Sequence, residues 1–426
     1  MRTLVAYPGN TVCFQQAARA FLEHDSLYCF ATTFAYTEDS TLARFLGLLP
    51  GKFGESVAHN LRRRNISEVP SRYISQQPVW ELLRTAAIKA KVSPPMVDRI
   101  WDLMSHSFTR RVARRLVPKC EAIYAIEYTA LEAFERASEE GVARILELPS
   151  LSSRHFQALL RREREAVPEL QTPYDKYFES KFDRRQQRRD REIALADVIM
   201  TNSSLTARSH IENGADPRKV FTVPLAAPPT IDTIDESLGN RRTPLKIIWA
   251  GSFSIRKGAH YFLEAWRALN AAPHATARVY GSVELPDRLL KPNPPGLEFR
   301  GSRSQPELFA TMERADVLIF PTLSDGFGMV VTEAFSRGLP VITTDQAGAA
   351  DLVEHEKNGL IIPAGDAGAI KDALQRCLDN REQLFMMRRV ALETARRWQW
   401  QDYRCAFIDA MATGLHRAGY YPRFSA

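Results

Sequence analysis

The stretch Val317-Leu318-Ile319-Phe320-Pro321-Thr322-Leu323-Ser324-Asp325-Gly326-Phe327-Gly328-Met329-Val330-Val331-Thr332-Glu333-Ala334 decides how the rest of the chain is read. Its four leading apolar residues predict a strand buried on both faces. Pro321 ends that strand, a small-residue loop follows, and a helix begins after Gly328. The loop therefore sits at a carboxyl edge, where open α/β sheets hold their ligands. Gly326 and Gly328 let a ligand approach the backbone and leave amides free to donate. Asp325 in the loop and Glu333 in the first helical turns are placed to face those amides. Carboxylate oxygens accept hydrogen bonds from hydroxyls, which suits a sugar. Taken alone, the two acids equally suit a turn and a helix N-terminus. No third glycine is present, so a dinucleotide fingerprint is not supported.

The same alternation extends in both directions. Strands are predicted at Leu245 to Trp249, Ala277 to Tyr280, Leu297 to Arg300 and Pro340 to Thr343. Helices fall between them, from Gly258, over Gln305 to Arg314, after Gly328 and from Ala367 onward. Before them, Thr3 to Tyr7, Leu27 to Thr32, Ala122 to Ile126, Ala143 to Leu148, Asp197 to Thr201 and Val220 to Val223 read as strands. The intervening helices cover Val12 to Leu22, Leu131 to Glu140 and Ser204 to Glu212, and the polar run from Phe156 to Ala196 reads as one or two exposed helices. Strands spaced by helices specify a parallel sheet covered on both faces. Pro224 to Pro244, with Pro228 and Pro229 between, breaks the pattern and reads as a linker. The expected fold class is α/β: two Rossmann-like doubly wound domains facing each other across a cleft. Residues 1–235 form the first domain, 236–244 the linker and 245–399 the second, and a C-terminal helix over about 400–426 is placed to pack back on the first.

Composition excludes several classes. Of 426 residues, 45% are hydrophobic, enough for more than one core, and no run approaches the length of a membrane-spanning helix. The N-terminus reads as a first buried strand rather than a signal peptide, so a cytoplasmic location is expected. The sequons Asn202-Ser203-Ser204 and Asn65-Ile66-Ser67 then carry no meaning. Five scattered cysteines fit neither a disulfide framework nor a zinc site. The net charge of +7 is spread over both halves. Its local clusters are Arg62 to Arg64 and, on one helical face, Arg110, Arg111, Arg114 and Arg115, with Phe108, Val112 and Leu116 on the other. A solvated helix face explains the second cluster, and so does a surface for phosphate or anionic lipid. Nucleic acid is not expected, since no aromatic-interleaved basic platform is present.

A second loop carries chemistry. In Trp249-Ala250-Gly251-Ser252-Phe253-Ser254-Ile255-Arg256-Lys257-Gly258, a strand runs through small residues to a helix start. Two cations at the positive end of a helix are unfavourable by roughly 0.3–1 kcal/mol each. A bound phosphate would offset that cost.

Taken together, these residues resemble glycosyltransferase family 4, whose members have the GT-B fold. The resemblance rests on Ala315-Asp316-Val317, Pro321, Gly326-Phe327-Gly328, Glu333-Ala334, Gly338, Pro340-Val341-Ile342, Gly359-Leu360-Ile361 and Gly365-Asp366 in register, with Arg256-Lys257-Gly258 similar to the family's diphosphate loop. It is specific over about 245–400 and weaker over 196–224. It implies a retaining transfer of a sugar from a nucleotide diphosphate sugar to a hydroxyl acceptor, either a glycan or a lipid-linked or polysaccharide intermediate. Arg256, Lys257 and Asp325 would be catalytic. Gly251, Gly301, Gly326, Phe327, Gly328 and Glu333 would bind the donor, with Glu333 on the ribose and Gly301 beside the base. The leaving diphosphate would assist the incoming hydroxyl, with no enzyme nucleophile.

Two departures from the family pattern stand out. Asp325 replaces the usual first Glu of an E-x7-E pair. The histidine expected on a loop near Ala143 to Leu148 is missing, which leaves Glu147 and His155 as candidates on the acceptor side, together with Gly9 in the first-strand turn. No Asp-x-Asp occurs, so no metal is expected and cationic side chains would neutralise the diphosphate. No other cofactor is expected. The alternatives are a catalytically silent sugar-nucleotide-binding or scaffold protein, and a GT-B epimerase or phosphorylase. The arginine cluster adds an expectation of peripheral contact with an anionic membrane, at its inner face.

Overall fold

The computed structural model describes residues 1–36, 65–240 and 244–422. The Arg62 to Arg64 cluster lies outside them. The apolar runs of the first half form seven strands: Thr3–Ala6 (β1), Leu27–Thr32 (β2), Ile74–Gln76 (β3), Ala122–Ile126 (β4), Ala143–Leu148 (β5), Val198–Thr201 (β6) and Val220–Thr222 (β7). All pair in parallel, in the order β3-β2-β1-β4-β5-β6-β7. Parallel strands need crossovers, and among the described residues seven helices lie between or beside them. These are Val12–Glu23 (α1), Val79–Lys89 (α2), Pro94–Arg115 (α3), Leu131–Glu139 (α4), Ser153–Ala166 (α5), Asp175–Leu195 (α6) and Ser204–Ile211 (α7).

The second half repeats the plan with six parallel strands, in the order β10-β9-β8-β11-β12-β13. They are Leu245–Ala250 (β8), Ala275–Tyr280 (β9), Leu297–Phe299 (β10), Val317–Phe320 (β11), Val341–Thr344 (β12) and Gly359–Ile362 (β13). Helices Ala259–Leu269 (α8), Asp287–Leu290 (α9), Gln305–Arg314 (α10), Met329–Ser336 (α11), Ala367–Asp379 (α12) and Arg381–Arg397 (α13) follow in turn. All four residues of β1, β6, β11 and β12 are buried, as near-continuous apolar strands inside a two-faced sheet must be.

The last helix, Trp400–Arg417 (α14), lies on the first domain. Phe407 meets the rings of Phe21 and Tyr124 at 5.7 and 5.3 Å, and Arg404 reaches Glu23 at 2.7 Å. The chain crosses back beside the segment that left the first domain. Trp398 Nε1 donates to the carbonyl of Pro224 at 3.0 Å, and the amide of Ala227 to that of Trp398 at 3.1 Å. The start of the proline-rich segment is therefore not a free linker: Leu225, Ala226 and Ala227 are buried, because they cover the seam between the domains.

The polar run before β6 also departs from expectation. It forms two helices, but α6 is not simply exposed. Glu192 is fully buried and accepts from the amides of Ala130 at 3.0 Å and Leu131 at 2.9 Å, while Arg188 beside it is buried against Glu132 and the carbonyl of Tyr128. Polar composition hid a buried ion-pair network, the one setting in which such residues are routinely found inside. Among the described residues, no helix is long and apolar enough to cross a membrane.

Candidate functional site

Strand order reverses between β8 and β11, so the loops leaving those two strands diverge and open a crevice between them. The first of these loops carries Arg256 and Lys257, and the second carries Asp325, Gly326, Phe327 and Gly328. Backbone bonds strap them together: the amide of Leu323 donates to the carbonyl of Arg256 at 2.9 Å, and Thr322 Oγ1 donates to the same oxygen at 3.1 Å. Gly258 begins α8 in the left-handed region, with φ of 74°. A Cβ there would lie 2.0 Å from the carbonyl oxygen of Pro321, so no other residue lets the loops close this far.

Asp325 joins the cations. Lys257 Nζ donates to its Oδ2, and Arg256 Nη1 reaches the same oxygen at 3.1 Å and the carbonyl of Ser324 at 2.9 Å. Burial pushes the Asp325 carboxyl up, but the attraction of Lys257 and then Arg256 outweighs it and holds the group below the usual carboxylate range. Burial draws the Lys257 ammonium below its ordinary value, with Asp325 opposing. Lys257 also lies over the Phe320 ring, 4.6 Å from its centroid. The crevice thus holds two cations whose counter-ion is a single carboxylate.

Glu333 stands on α11, whose first turn follows Gly328. Burial raises its carboxyl, against a hydrogen bond from the side chain of Gln305 at the start of α10. Successive strands end on glycine here: Gly251 after β8, Gly281 after β9 and Gly301 just beyond β10, with the amide of Gly281 donating to the carbonyl of Gly301 at 3.1 Å. Gly251 and Gly301 are exposed, so bare backbone floors this side of the site. Gly281 was not singled out from sequence, although its place after a strand was the available signal.

The first domain closes on the glycine loop. Ser203 Oγ and Thr206 Oγ1, at the start of α7, donate to the carbonyl of Gly326 at 2.6 and 3.0 Å. The amide and hydroxyl of Ser204 bind Asp351 at 2.8 and 2.6 Å. Asn202, the sequon asparagine, is buried and donates through Nδ2 to the carbonyl of Pro149 at 2.8 Å. None of these contacts was foreseen, because each joins residues far apart in sequence, and those to Gly326 and Asp351 cross between the domains.

The three acceptor-side candidates separate. His155, on α5, lies in a cavity of about 450 Å³ between the domains, with Arg162 on its own helix and Leu323, Asp345 and Gln346 opposite. Burial draws its imidazole below the ordinary value. Gly9 sits in the turn after β1, beside that sheet's own reversal point. A Cβ there would meet the Tyr7 ring at 2.7 Å, and its carbonyl accepts from Thr32 Oγ1 at 2.9 Å.

Glu147 is a correction. It lies within β5, not on a loop, and is buried in the core of the first domain, where Tyr124 Oη donates to its Oε2 at 2.8 Å. Burial pushes its carboxyl up to about 8. Strand alternation turned it away from Leu146 and Leu148, and both faces of a parallel sheet are covered, so no face was left for a solvent-facing acid.

Sequence patterning also missed a cluster bridging the domains. Glu163 of α5, buried, accepts from Tyr261 Oη at 2.8 Å and stands 3.1 Å from His260 Nε2, both at the start of α8. Burial favours protonation of Glu163, but the bonds from His260 and Tyr261 outweigh it and hold the carboxyl below its ordinary value.

Residues 244–380 match the family model described as glycosyl transferases group 1, a stretch that holds the second sheet and both site loops. The chain is 33% identical over 115 residues to D-inositol 3-phosphate glycosyltransferase of Corynebacterium urealyticum, covering 27% of this chain and 25% of that protein. It is 30% identical over 144 residues to the putative colanic acid biosynthesis glycosyltransferase WcaL of Escherichia coli, covering 31% and 36%. The chain thus spans about a quarter to a third of these relatives' lengths. Over nearly the whole chain, the structure is similar to Anabaena HepE in complex with UDP, with a TM-score of 0.61, 15% identity, and 97% and 100% of the two chains covered. Sucrose-phosphate synthase from Thermosynechococcus elongatus gives a TM-score of 0.62, 15% identity, and coverage of 98% and 99%. The fold is therefore two parallel-sheet Rossmann-like domains in the GT-B arrangement.

Proposed function

We propose that this chain is a glycosyltransferase that moves a sugar from a nucleotide diphosphate sugar to a hydroxyl acceptor with retention of anomeric configuration. The observation that carries the reading is the joining of Arg256, Lys257 and Asp325 at the reversal point of the second sheet. Two cations converge where a backbone of glycines admits a flat, charged ligand. The match of residues 244–380 to glycosyl transferases group 1, and relatives bearing glycosyltransferase names, support the sugar-transfer class. That HepE was solved with UDP and with UDP-glucose supports a uridine nucleotide as the first donor to try.

In the proposed reaction the diphosphate lies against Arg256 and Lys257, and Asp325 gives up its hold on them to meet the sugar's hydroxyls. Glu333 takes the ribose. The bond between the anomeric carbon and the terminal phosphate oxygen breaks, and the two cations stabilise the charge that develops on that oxygen, an effect worth roughly 2.7–4 kcal/mol per preorganised donor. The acceptor oxygen bonds to the same face of the anomeric carbon and passes its proton to the departing phosphate. Cationic side chains fill the role a metal would otherwise have. His155 and Arg162 face the acceptor from the first domain.

The test is slow release of free sugar from a nucleotide sugar, lost in Lys257→Ala. The contact of Asp325 with both cations also favours a second reading, a protein that binds sugar nucleotides without turning them over. Tight nucleotide binding with no release or transfer on any donor would establish that reading instead.

A further inference from the structure

The first domain carries two features that sugar transfer does not use, and they lie side by side. Helices α2 and α3 pack together near β3, the end strand of the seven-stranded sheet, whose Ser75 bonds Arg111 of α3. Along them runs a groove of about 620 Å³ lined by Arg110, Arg111, Arg114 and Arg115, with Trp80 and Leu103 at its apolar side and no carboxylate in its wall. Arg111 Nη2 donates to Ser75 Oγ at 2.8 Å, while its Nη1 is buried without a partner. Among the described residues, none of the four arginines has an acid within ion-pair reach. The neighbouring helix differs: Arg185 is held by Asp98 and Asp102, Arg188 by Glu132 and Arg191 by Glu135. Burial, and then Arg115, draws Arg111 below its ordinary value, as expected where positive charge is uncompensated.

The second feature is apolar. Of the fourteen large apolar side chains exposed among the described residues, seven fall between Val79 and Leu103, a concentration that scattered surface residues would not produce. On α2, Val79, Leu82 and Leu83 follow the spacing of a single helix face and are 68%, 50% and 47% exposed. On α3, Met96 and Leu103 are spaced by seven and Arg110 by seven more, so one stripe passes from apolar to cationic.

We propose that this face docks the protein on an anionic lipid bilayer, lipid phosphates entering the arginine groove while Val79, Leu82, Leu83 and Leu103 rest at the acyl boundary. Amphipathic helices with arginine on the polar side bind membranes this way, through apolar burial and attraction to anionic headgroups. A second copy is the weaker occupant, because a two-fold contact through this face would set unpaired arginines against their mates. A soluble anion would use the groove but leave the apolar stripe unexplained. The inference is independent of the sugar-transfer reading.

The test is sedimentation of the full chain with vesicles of phosphatidylcholine, alone or mixed with phosphatidylglycerol. Binding to the mixed vesicles only, weakened by salt, is expected. R110Q/R114Q/R115Q lowers partitioning on the order of a hundredfold, at about fivefold per arginine, with the circular dichroism spectrum unchanged. L82Q/L83Q lowers it while keeping the salt dependence. Equal binding to both vesicles, binding to neither, or a triple variant that binds as the parent does would overturn the proposal. A rise in Tm with inorganic pyrophosphate that the triple variant loses, without vesicle binding, would give the groove to a soluble phosphate and equally overturn it.

Discussion

The carboxylate of Asp325 rests on the ammonium of Lys257, so the proposed diphosphate site carries an anion of its own. A diphosphate must displace that carboxylate. Asp325→Asn removes the competitor while keeping its shape, and the nucleoside diphosphate should then bind about tenfold tighter, in line with one charge-assisted bond. Sugar transfer should fall in the same variant, since the charged carboxylate that would accept from the donor sugar's hydroxyls becomes a neutral amide with one acceptor oxygen. Isothermal titration calorimetry beside a transfer assay reads both. Affinity that drops with the charge would mean that Asp325 organises the cations rather than competing for them.

Lys257→Ala acts in the opposite sense. It removes a charged donor from the ligand and leaves Asp325 buried with Arg256 alone. Nucleoside diphosphate affinity should fall by about tenfold to a hundredfold, from roughly 1.5–3 kcal/mol for a hydrogen bond to a charged group. Lys257→Arg restores the charge but not the point contact, and should recover only part of the affinity. Full binding in the alanine variant would remove the lysine from the site.

Gly326 lies where the domains touch. A Cβ on it would stand 2.1 Å from the carbonyl oxygen of Pro149 and 2.7 Å from the Cα of Ser150, both of them backbone in the other domain. Neither neighbour can swing aside, so Gly326→Ala must push the domains apart or break the bonds from Ser203 and Thr206. Activity should be lost and Tm lowered, with a cost of at least the 1–3 kcal/mol of ordinary overpacking. Small-angle scattering would register a larger radius of gyration. An unchanged profile with full activity would show that the contact is incidental.

These three residues mark what was legible in the sequence. Lys257 with Arg256, and Asp325 with Gly326, are neighbours along the chain and follow strands, so local pattern placed them on two loops that the sheet order then joined. Eleven of the thirteen strands were legible for the same reason, since apolar strands spaced by helices allow few topologies, and their limits differ from expectation by a residue or two; the edge strands Ile74–Gln76 and Gly359–Ile362 were not foreseen. What lay hidden was the packing of one domain against the other. Ser203 on Gly326, and Glu163 on His260 and Tyr261, pair residues about a hundred positions apart that follow no periodicity. Glu147 was misplaced because an acid at a strand's end reads as exposed unless the covering of both faces is taken into account.

The Glu163 cluster makes its own prediction. Among the described residues, Glu163 is the carboxylate that bonds both His260 and Tyr261, and His260 Nδ1 is buried without a partner. Tyr261→Phe removes one bond and should cost about 0.5–1.5 kcal/mol. Glu163→Ala strips the partner from both and should cost more, about 1–3 kcal/mol. Denaturant unfolding measures the two steps. If the variants lose equal stability, the histidine contributes nothing.

Glu147 sets a pH dependence of stability. Its carboxyl titrates near 4.5 when unfolded and at about 8 in the folded chain, because burial disfavours the charged form. Between those values the native state binds a proton that the unfolded state has released, so stability must fall as pH rises. The contribution is complete below the unfolded value, declines through the interval and is exhausted above the folded one. Its size is on the order of several kcal/mol, given 1.36 kcal/mol for each unit of separation. Glu147→Gln keeps a neutral group that can still accept from the Tyr124 hydroxyl, and it has no proton to lose. Melting temperatures of the parent should therefore decline from weakly acidic to weakly alkaline pH, while those of the variant stay flatter across the same range. Parallel curves would mean that Glu147 is ionised in the folded protein despite its burial, and that another group titrates in its place.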